Sequence, residues 1–162
     1  MVTRALKHLF TPEWLVRRGF SAAVLREVEK AIKASERTHR GEIRFAIEGP
    51  LQVSQLRLST RQRAQQVFAA LDVWDTEENS GVLLYVQLVD RRIEIVADRG
   101  IAKRVPQAEW EAICRAMERH FRAGDYLKGT LEAIEAVTRI LAREFPARDD
   151  NRNELPDKPV IL

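Results

Sequence analysis

The chain has 162 residues, of which 45% are hydrophobic and 31% charged, a composition that is ordinary for one soluble globular domain with its own core. No apolar run approaches the roughly 20 residues that cross a membrane, and charges interrupt the first ten residues too often for a signal-peptide core. The single cysteine, Cys114, excludes an internal disulfide and a multi-cysteine metal site. We therefore expect a cytoplasmic protein without a transmembrane segment.

The net charge of +3 is distributed unevenly along the chain. Residues 1–70 contain 13 Lys and Arg against 6 Asp and Glu, whereas residues 71–162 contain 14 against 18. A basic half can attract an anionic surface. Here the bases alternate with acids and no stacking aromatic residues accompany them, so we favour solvated helix faces and expect no specific nucleic-acid binding.

The first half of the chain alternates between helical and extended patterns. Residues 1–19 form an irregular or short helical lead-in. Apolar residues at helical spacing then predict a helix from Ser21 to about Thr38. Residues 42–48 alternate between apolar and charged residues, which is typical of a strand with one buried face. A further helix is predicted between residues 58 and 75.

The second half begins with a hairpin. Residues 81–89 are almost continuously apolar and predict a central strand, whereas residues 92–97 alternate and predict a half-exposed edge strand. Pro106 opens a helix and Asp125 caps the last one. The segment after residue 145 is polar, and we expect a mobile tail whose apolar end can dock.

This order of elements predicts an α/β fold, a three-layer α/β/α sandwich around a small mixed sheet. The first two strands and the helix between them form a right-handed parallel βαβ unit, and the third strand adds antiparallel through a hairpin. We divide the chain into a lead-in at residues 1–19, an α/β domain at 20–145 and a polar C-terminal tail at 146–162.

Polar residues converge at one edge of this predicted sheet. Parallel strands begin at the same edge, so Glu42 lies near the start of the second strand, and the hairpin places Asp98 and Arg99 opposite Val82 and Gly81, to within one or two residues. Carboxylate, amide and carbonyl oxygens are the ligands of Ca²⁺ and Mg²⁺. The candidate metal ligands are Asp75, Glu77, Glu78, Asn79 and Asp98. The alternative is a solvated loop in which Asp75 and Asn79 cap turns.

Two arginines are candidates for binding a phosphate or another anion. Arg44 lies on the first strand and Arg99 follows the third, and either is also a plausible partner in an ion pair. The opposite edge of the sheet, with Glu48 and residues 90–92, is a weaker second candidate site. No residue is assigned as catalytic, because no nucleophile, metal triad or phosphate loop is recognised, and no organic cofactor is predicted.

The hairpin also carries a family resemblance. The run Asn79-Ser-Gly-Val-Leu-Leu-Tyr-Val, followed by Asp90-Arg-Arg-Ile-Glu-Ile-Val-Ala-Asp-Arg-Gly-Ile, resembles the TPM domain. The segments 121–129 and 41–44 resemble the family's second signature and its first strand, so the likeness covers about residues 20–145. It implies an α/β/α sandwich. Some members are linked to acid phosphatase activity and some bind divalent cations through acidic loops, and that acidic site maps onto the five candidate ligands named above.

Three functions follow as hypotheses. The leading one is a small binding module that holds Ca²⁺ or Mg²⁺ at the acidic edge. The second is a metal-assisted phosphatase, in which the metal activates water while Arg99 or Arg44 steadies the phosphate. The third is a scaffold or membrane-assembly partner that uses the basic half of the chain to join a protein or a membrane-associated complex.

Overall fold

The computed structural model describes residues 2–162, with Val2 described by its backbone only. Besides a 3₁₀ turn at Val53–Gln55, seven helices and four strands follow one another along this part of the chain. In chain order they are α1 (Val2–Phe10), α2 (Trp14–Gly19), α3 (Ala22–Ser35), β1 (Glu42–Glu48), α4 (Thr60–Ala70), β2 (Gly81–Gln87), β3 (Arg92–Ala97), α5 (Arg99–Ala102), α6 (Gln107–Arg122), α7 (Tyr126–Glu144) and β4 (Val160–Ile161). No helix in residues 2–162 is long and apolar enough to cross a bilayer.

The strands form one mixed sheet in the order β3-β2-β1-β4. β1 and β2 are parallel, and β3 pairs antiparallel with β2, which confirms the predicted βαβ unit and hairpin. Glu42 pairs with Gly81, and Val82 pairs with Ala97. The hairpin register is therefore one residue away from the predicted pairing of Val82 with Asp98, within the tolerance of the prediction.

Helices cover both faces of the sheet, so the three-layer sandwich is confirmed. One face packs against α3, α6 and α7 through the larger apolar cluster, and the other packs against α4 through a smaller cluster. All seven residues of β1 are buried, although the sequence predicted one exposed face. The difference arises because α4 and the C-terminal segment lie over the side of β1 that carries Glu42, Arg44 and Glu48.

The C-terminal segment, which we expected to be a mobile tail, runs beside β1 and ends as the fourth strand. Val160 pairs with Ala46, Leu162 N–H donates to the Ile47 carbonyl at 2.9 Å, and Leu155 is buried. The Glu42 carboxylate accepts hydrogen bonds from the backbone N–H groups of Glu154 at 3.0 Å and Leu155 at 3.3 Å. Because these contacts are backbone pairing with β1 and hydrogen bonds from backbone N–H groups to the Glu42 side chain, the polar composition of the segment gave no sign of them.

Candidate functional site

Two edges of the sheet carry most of the buried polar groups. We call the edge where β1 and β2 begin, with Glu42, Gly81 and Asp98, the amino edge. We call the edge where they end, with Glu48 and Asp90, the carboxyl edge. β3 runs antiparallel to β2, so it starts at the carboxyl edge and delivers Asp98 to the amino edge.

At the amino edge the structure brings the loop before β2 onto the end of the hairpin, as predicted. The Asp98 N–H donates to the Gly81 carbonyl at 2.9 Å, and the Gly100 N–H donates to the Asn79 carbonyl at 2.9 Å. A Cβ atom at Gly100 would lie 2.4 Å from the Glu78 carbonyl oxygen and 2.6 Å from that of Asn79. Two backbone carbonyl oxygens therefore pack against Gly100, two residues after Asp98, and only glycine fits at that position.

Asp98 has an unused carboxylate oxygen, as Glu36 does near the same edge. The residue is only 6% exposed, and its Oδ1 atom accepts a hydrogen bond from the Arg99 N–H at 2.7 Å, which caps α5. Its Oδ2 atom is buried and accepts no hydrogen bond from any described residue. A buried polar atom without a partner is unfavourable, and such an atom commonly marks the place of a bound ion or water.

The other predicted ligands occupy different surroundings. Glu78 accepts hydrogen bonds from Arg40 Nε at 2.9 Å and from Arg148 at 3.4 Å, whereas Asp75 and Glu77 are exposed. The Asn79 amide oxygen accepts a hydrogen bond from Arg99 at 3.2 Å. Within the described part of the chain, no group of three or more Asp, Glu, His or Cys side chains is arranged to hold a metal ion. Of the five candidates, Asn79 and Asp98 therefore lie in neighbouring turns, which are linked by the hydrogen bond from the Gly100 N–H to the Asn79 carbonyl.

The two candidate anion-binding arginines are not brought together. Arg99 is exposed beside Asn79. Arg44 is 5% exposed and lies under the C-terminal segment, where its guanidinium donates to the backbone carbonyls of Pro156 and of Lys158, the latter at 3.2 Å. Burial lowers the pKa of Arg44 from its ordinary value. In this arrangement Arg44 fixes the C-terminal segment to the sheet.

A second group of carboxyls near the amino edge was missed by the sequence analysis. Burial raises the pKa of Glu42 to about 7. Burial, with the nearby Glu42 and Asp157 carboxyls, raises the pKa of Glu36 to about 9. Asp157 belongs to the C-terminal segment, so the grouping depends on a tertiary contact between distant parts of the sequence. The sequence gave one sign of this group, the charged face of β1, and we interpreted that face as exposed to solvent.

The carboxyl edge, our weaker candidate site, holds carboxylates that are fully paired. Arg63 binds the buried Glu48 carboxylate, with Nη2 to Oε1 at 2.6 Å, and the Tyr85 hydroxyl donates to the same carboxylate. Asp90 accepts hydrogen bonds from Arg4 Nη2 at 2.7 Å and Nε at 3.0 Å, and pairs with His8 Nε2 at 3.1 Å. Burial alone would raise the Asp90 pKa, but the hydrogen bonds from Arg4 and His8 outweigh it and hold that pKa below its ordinary value.

Two helical layers around a mixed four-stranded sheet, with a polar turn cluster at the amino edge, define an α/β/α sandwich domain. The family model of the TPM domain matches residues 18–140, and the chain belongs to the TPM domain family. This confirms the resemblance carried by the hairpin.

A solved structure supports the same conclusion. The NMR structure of the BA42 protein from the psychrophilic bacterium Bizionia argentinensis is similar to this chain, with a TM-score of 0.78 and 29% sequence identity. The similarity covers 88% of this chain and 94% of that one. None of the curated proteins matches the chain.

Proposed function

We propose that this TPM domain is a binding module that holds a divalent cation at the amino edge, with Asp98 as its central ligand. The observation that supports the proposal is the buried Asp98 Oδ2 atom, which has no hydrogen-bond partner among the described residues. A cation at that atom would supply the missing interaction. It would also neutralise a carboxylate that is otherwise stabilised on one oxygen only.

The nearby oxygen atoms are of the kinds that a hard cation prefers, which supports the proposal. Asp98 supplies a carboxylate oxygen, Asn79 supplies an amide oxygen and its backbone carbonyl, and Glu78 supplies a second backbone carbonyl near Gly100. Ca²⁺ accepts such irregular sets of six to eight oxygens and completes them with water, whereas Mg²⁺ demands near-ideal octahedral geometry. We therefore expect Ca²⁺ to bind more tightly than Mg²⁺.

The affinity follows from the number of charged ligands. Asp98 is the one acidic side chain of the set without an arginine partner, because Glu78 is held by Arg40 and Arg148. Sites with few carboxylates bind Ca²⁺ with dissociation constants of about 10⁻⁴ to 10⁻³ M. We expect a dissociation constant in that range.

Calorimetric titration with Ca²⁺ and Mg²⁺ tests the proposal. The variant Asp98→Asn keeps the oxygen that caps α5 but removes the charge, and we expect it to abolish Ca²⁺ binding. Asp90→Asn is the matched control, since it removes the same charge at the other end of β3, and it should bind as the wild type does. Equal binding by Asp98→Asn and the wild type would refute the assignment of the site.

The metal-assisted phosphatase is the alternative that this site can also accommodate, because Arg99 is exposed next to Asn79 and could hold a phosphate beside the ion. Hydrolysis of an aryl phosphate that requires the metal and is lost in both Asp98→Asn and Arg99→Ala would favour it. Metal binding without such hydrolysis would leave the binding module as the function.

A further inference from the structure

Helix α1 is amphipathic, and its polar side faces the protein. Arg4 Nη1 donates to the backbone carbonyls of Leu56 at 2.9 Å and Leu58 at 2.8 Å, and the same guanidinium binds Asp90. His8, one turn later, is 2% exposed and accepts a hydrogen bond from the Leu51 N–H at 2.9 Å. The helix is thus attached to the domain through polar contacts on one side.

The apolar side of α1 faces solvent. Leu6, Leu9 and Phe10 share one face of the helix by their spacing, and they are 48%, 72% and 76% exposed. Helix α2, the next element of the chain, also exposes large apolar residues, Trp14 at 57% and Leu15 at 40%. Surface helices of globular proteins normally bury their apolar side. A helix that instead buries its polar side and exposes large apolar residues indicates a partner outside the domain.

The charges on the same two helices indicate what kind of partner it is. The exposed cations Lys7, Arg17 and Arg18 accompany the apolar residues, and Glu13 is the one acidic residue in residues 2–20. A second copy of the chain would bring these cations against their own copies, which is unfavourable. Exposed Leu, Phe and Trp residues with flanking Lys and Arg are instead what a helix needs to lie in the interface of an anionic bilayer.

We infer that the exposed surface of α1 and α2, formed by Leu6, Leu9, Phe10, Trp14 and Leu15 with Lys7, Arg17 and Arg18, binds the surface of an anionic lipid bilayer. The apolar side chains enter the headgroup region while the cations contact the lipid phosphates. Because α1 is attached to Asp90 at the carboxyl edge, a bilayer on this surface would leave the opposite, amino edge of the sheet facing away from the lipid.

Tryptophan fluorescence tests the inference with a control inside the chain. Trp14 and Trp74 are exposed to similar degrees, 57% and 52%, whereas Trp110 is 2% exposed and will not respond. In a Trp74→Phe background, phosphatidylcholine vesicles containing phosphatidylglycerol should shift the Trp14 emission to shorter wavelength, and brominated lipid should quench it. In a Trp14→Phe background, Trp74 should show neither effect. Responses of equal size from both tryptophans, or from neither, would overturn the inference.

Flotation of the intact protein with vesicles tests the roles of charge and apolar contact separately. Arg18→Glu should reduce binding to anionic vesicles at least about tenfold at low salt, because each cation near such a surface contributes to attraction. Lys103→Glu makes the same change in net charge after α5, at the amino edge, and should change binding much less. Phe10→Glu should abolish vesicle binding at low salt and at high salt.

Three results would contradict the inference. They are absence of flotation by the wild type, an equal loss of vesicle binding in Arg18→Glu and Lys103→Glu, and flotation that Phe10→Glu does not reduce. Self-association of the wild type that Phe10→Glu abolishes, without vesicle binding, would assign the surface to a second copy of the chain instead.

Discussion

An aspartate stands beside each end of strand β3, the partly buried Asp90 and the buried Asp98, and the two differ in how their oxygens are used. Asp90, at the carboxyl edge, has both oxygens paired with Arg4 and His8. Asp98, at the amino edge, has one oxygen that caps a short helix and one that no described residue binds. Both residues are aspartates beside the same strand, so residue type and position alone do not distinguish a structural carboxylate from a candidate ligand. The unfilled oxygen does.

The same contrast extends to the neighbouring groups on each edge. At the carboxyl edge, Glu48 is bound by Arg63 and Tyr85, so every acidic group there has a cationic or hydroxyl donor. At the amino edge, burial raises the pKa values of Glu36 and Glu42 instead. The cationic partners at the carboxyl edge therefore favour the ionised form of Asp90, whereas burial near the amino edge favours the protonated forms of Glu36 and Glu42.

The largest effect is expected at Glu48. Arg63→Ala should lower the free energy of unfolding by about 3–5 kcal/mol, because it leaves a buried carboxylate without its counter-ion. Urea denaturation measures this. Arg139→Ala is the control, since it removes an equally short ion pair to Glu135 that is exposed on both sides, and it should change stability by less than about 0.5 kcal/mol. Similar losses of unfolding free energy in the two variants would show that the buried Glu48 carboxylate does not depend on Arg63.

Asp90→Asn should have the next largest effect on stability. Removing the charge weakens the hydrogen bonds from Arg4 and His8, which predicts a loss of about 2 kcal/mol in the free energy of unfolding. Because the folded pKa of Asp90 lies below the ordinary value of 3.8, its contribution is present above that pH and is lost in more acidic solution. The wild type and Asp90→Asn should therefore converge in stability as the pH falls below about 4. A constant difference between them would contradict the ion-pair description.

The carboxyls near the amino edge should make the stability of the protein depend on pH in the opposite direction. Glu36 and Glu42 keep their protons in the folded state to about pH 9 and 7, whereas in the unfolded chain they ionise near 4.5. Their stabilising contribution is thus complete below about pH 4.5 and is lost as the pH rises through the folded values. Thermal unfolding of the wild type should show a falling midpoint between pH 5 and 9, and Glu36→Gln should flatten most of that slope. The same slope in both proteins would remove Glu36 from the account.

The smallest effect on stability is expected at Asp98. In the absence of metal, Asp98→Asn should leave the free energy of unfolding unchanged or raise it by up to about 1 kcal/mol, since it removes a buried charge that has one unpaired oxygen. Urea denaturation in the presence of a chelator measures this. A loss as large as that of Asp90→Asn would show that the two aspartates have the same structural role.

Much of the fold could be predicted because its signals are local. Apolar periodicity marks α3, α4, α6 and α7, and the polar turn between β2 and β3 limits the hairpin register to within one or two residues. That register brings Asn79 and Asp98 to one edge, so the location of the candidate site followed from the sequence.

The remaining features depend on partners that are distant in the sequence. The charged face of β1 is buried because Glu42 binds the backbone at 154–155, Arg44 binds carbonyls at Pro156 and Lys158, and Glu48 binds Arg63. The lack of a hydrogen-bond partner at Asp98 Oδ2 likewise depends on tertiary packing. The pattern of α1 makes it amphipathic, but only the contacts of Arg4 and His8 reveal that its apolar side faces outward.

The central claim is that the unpaired oxygen of Asp98 marks a cation site, and Ca²⁺ titration followed by amide NMR shifts tests it most directly. The account predicts saturable shifts at Glu78, Asn79, Asp98 and Gly100, none of comparable size around Asp90, and loss of the shifts in Asp98→Asn. Shifts confined to other parts of the chain, or none at millimolar Ca²⁺, where sites with few carboxylates are filled, would contradict it.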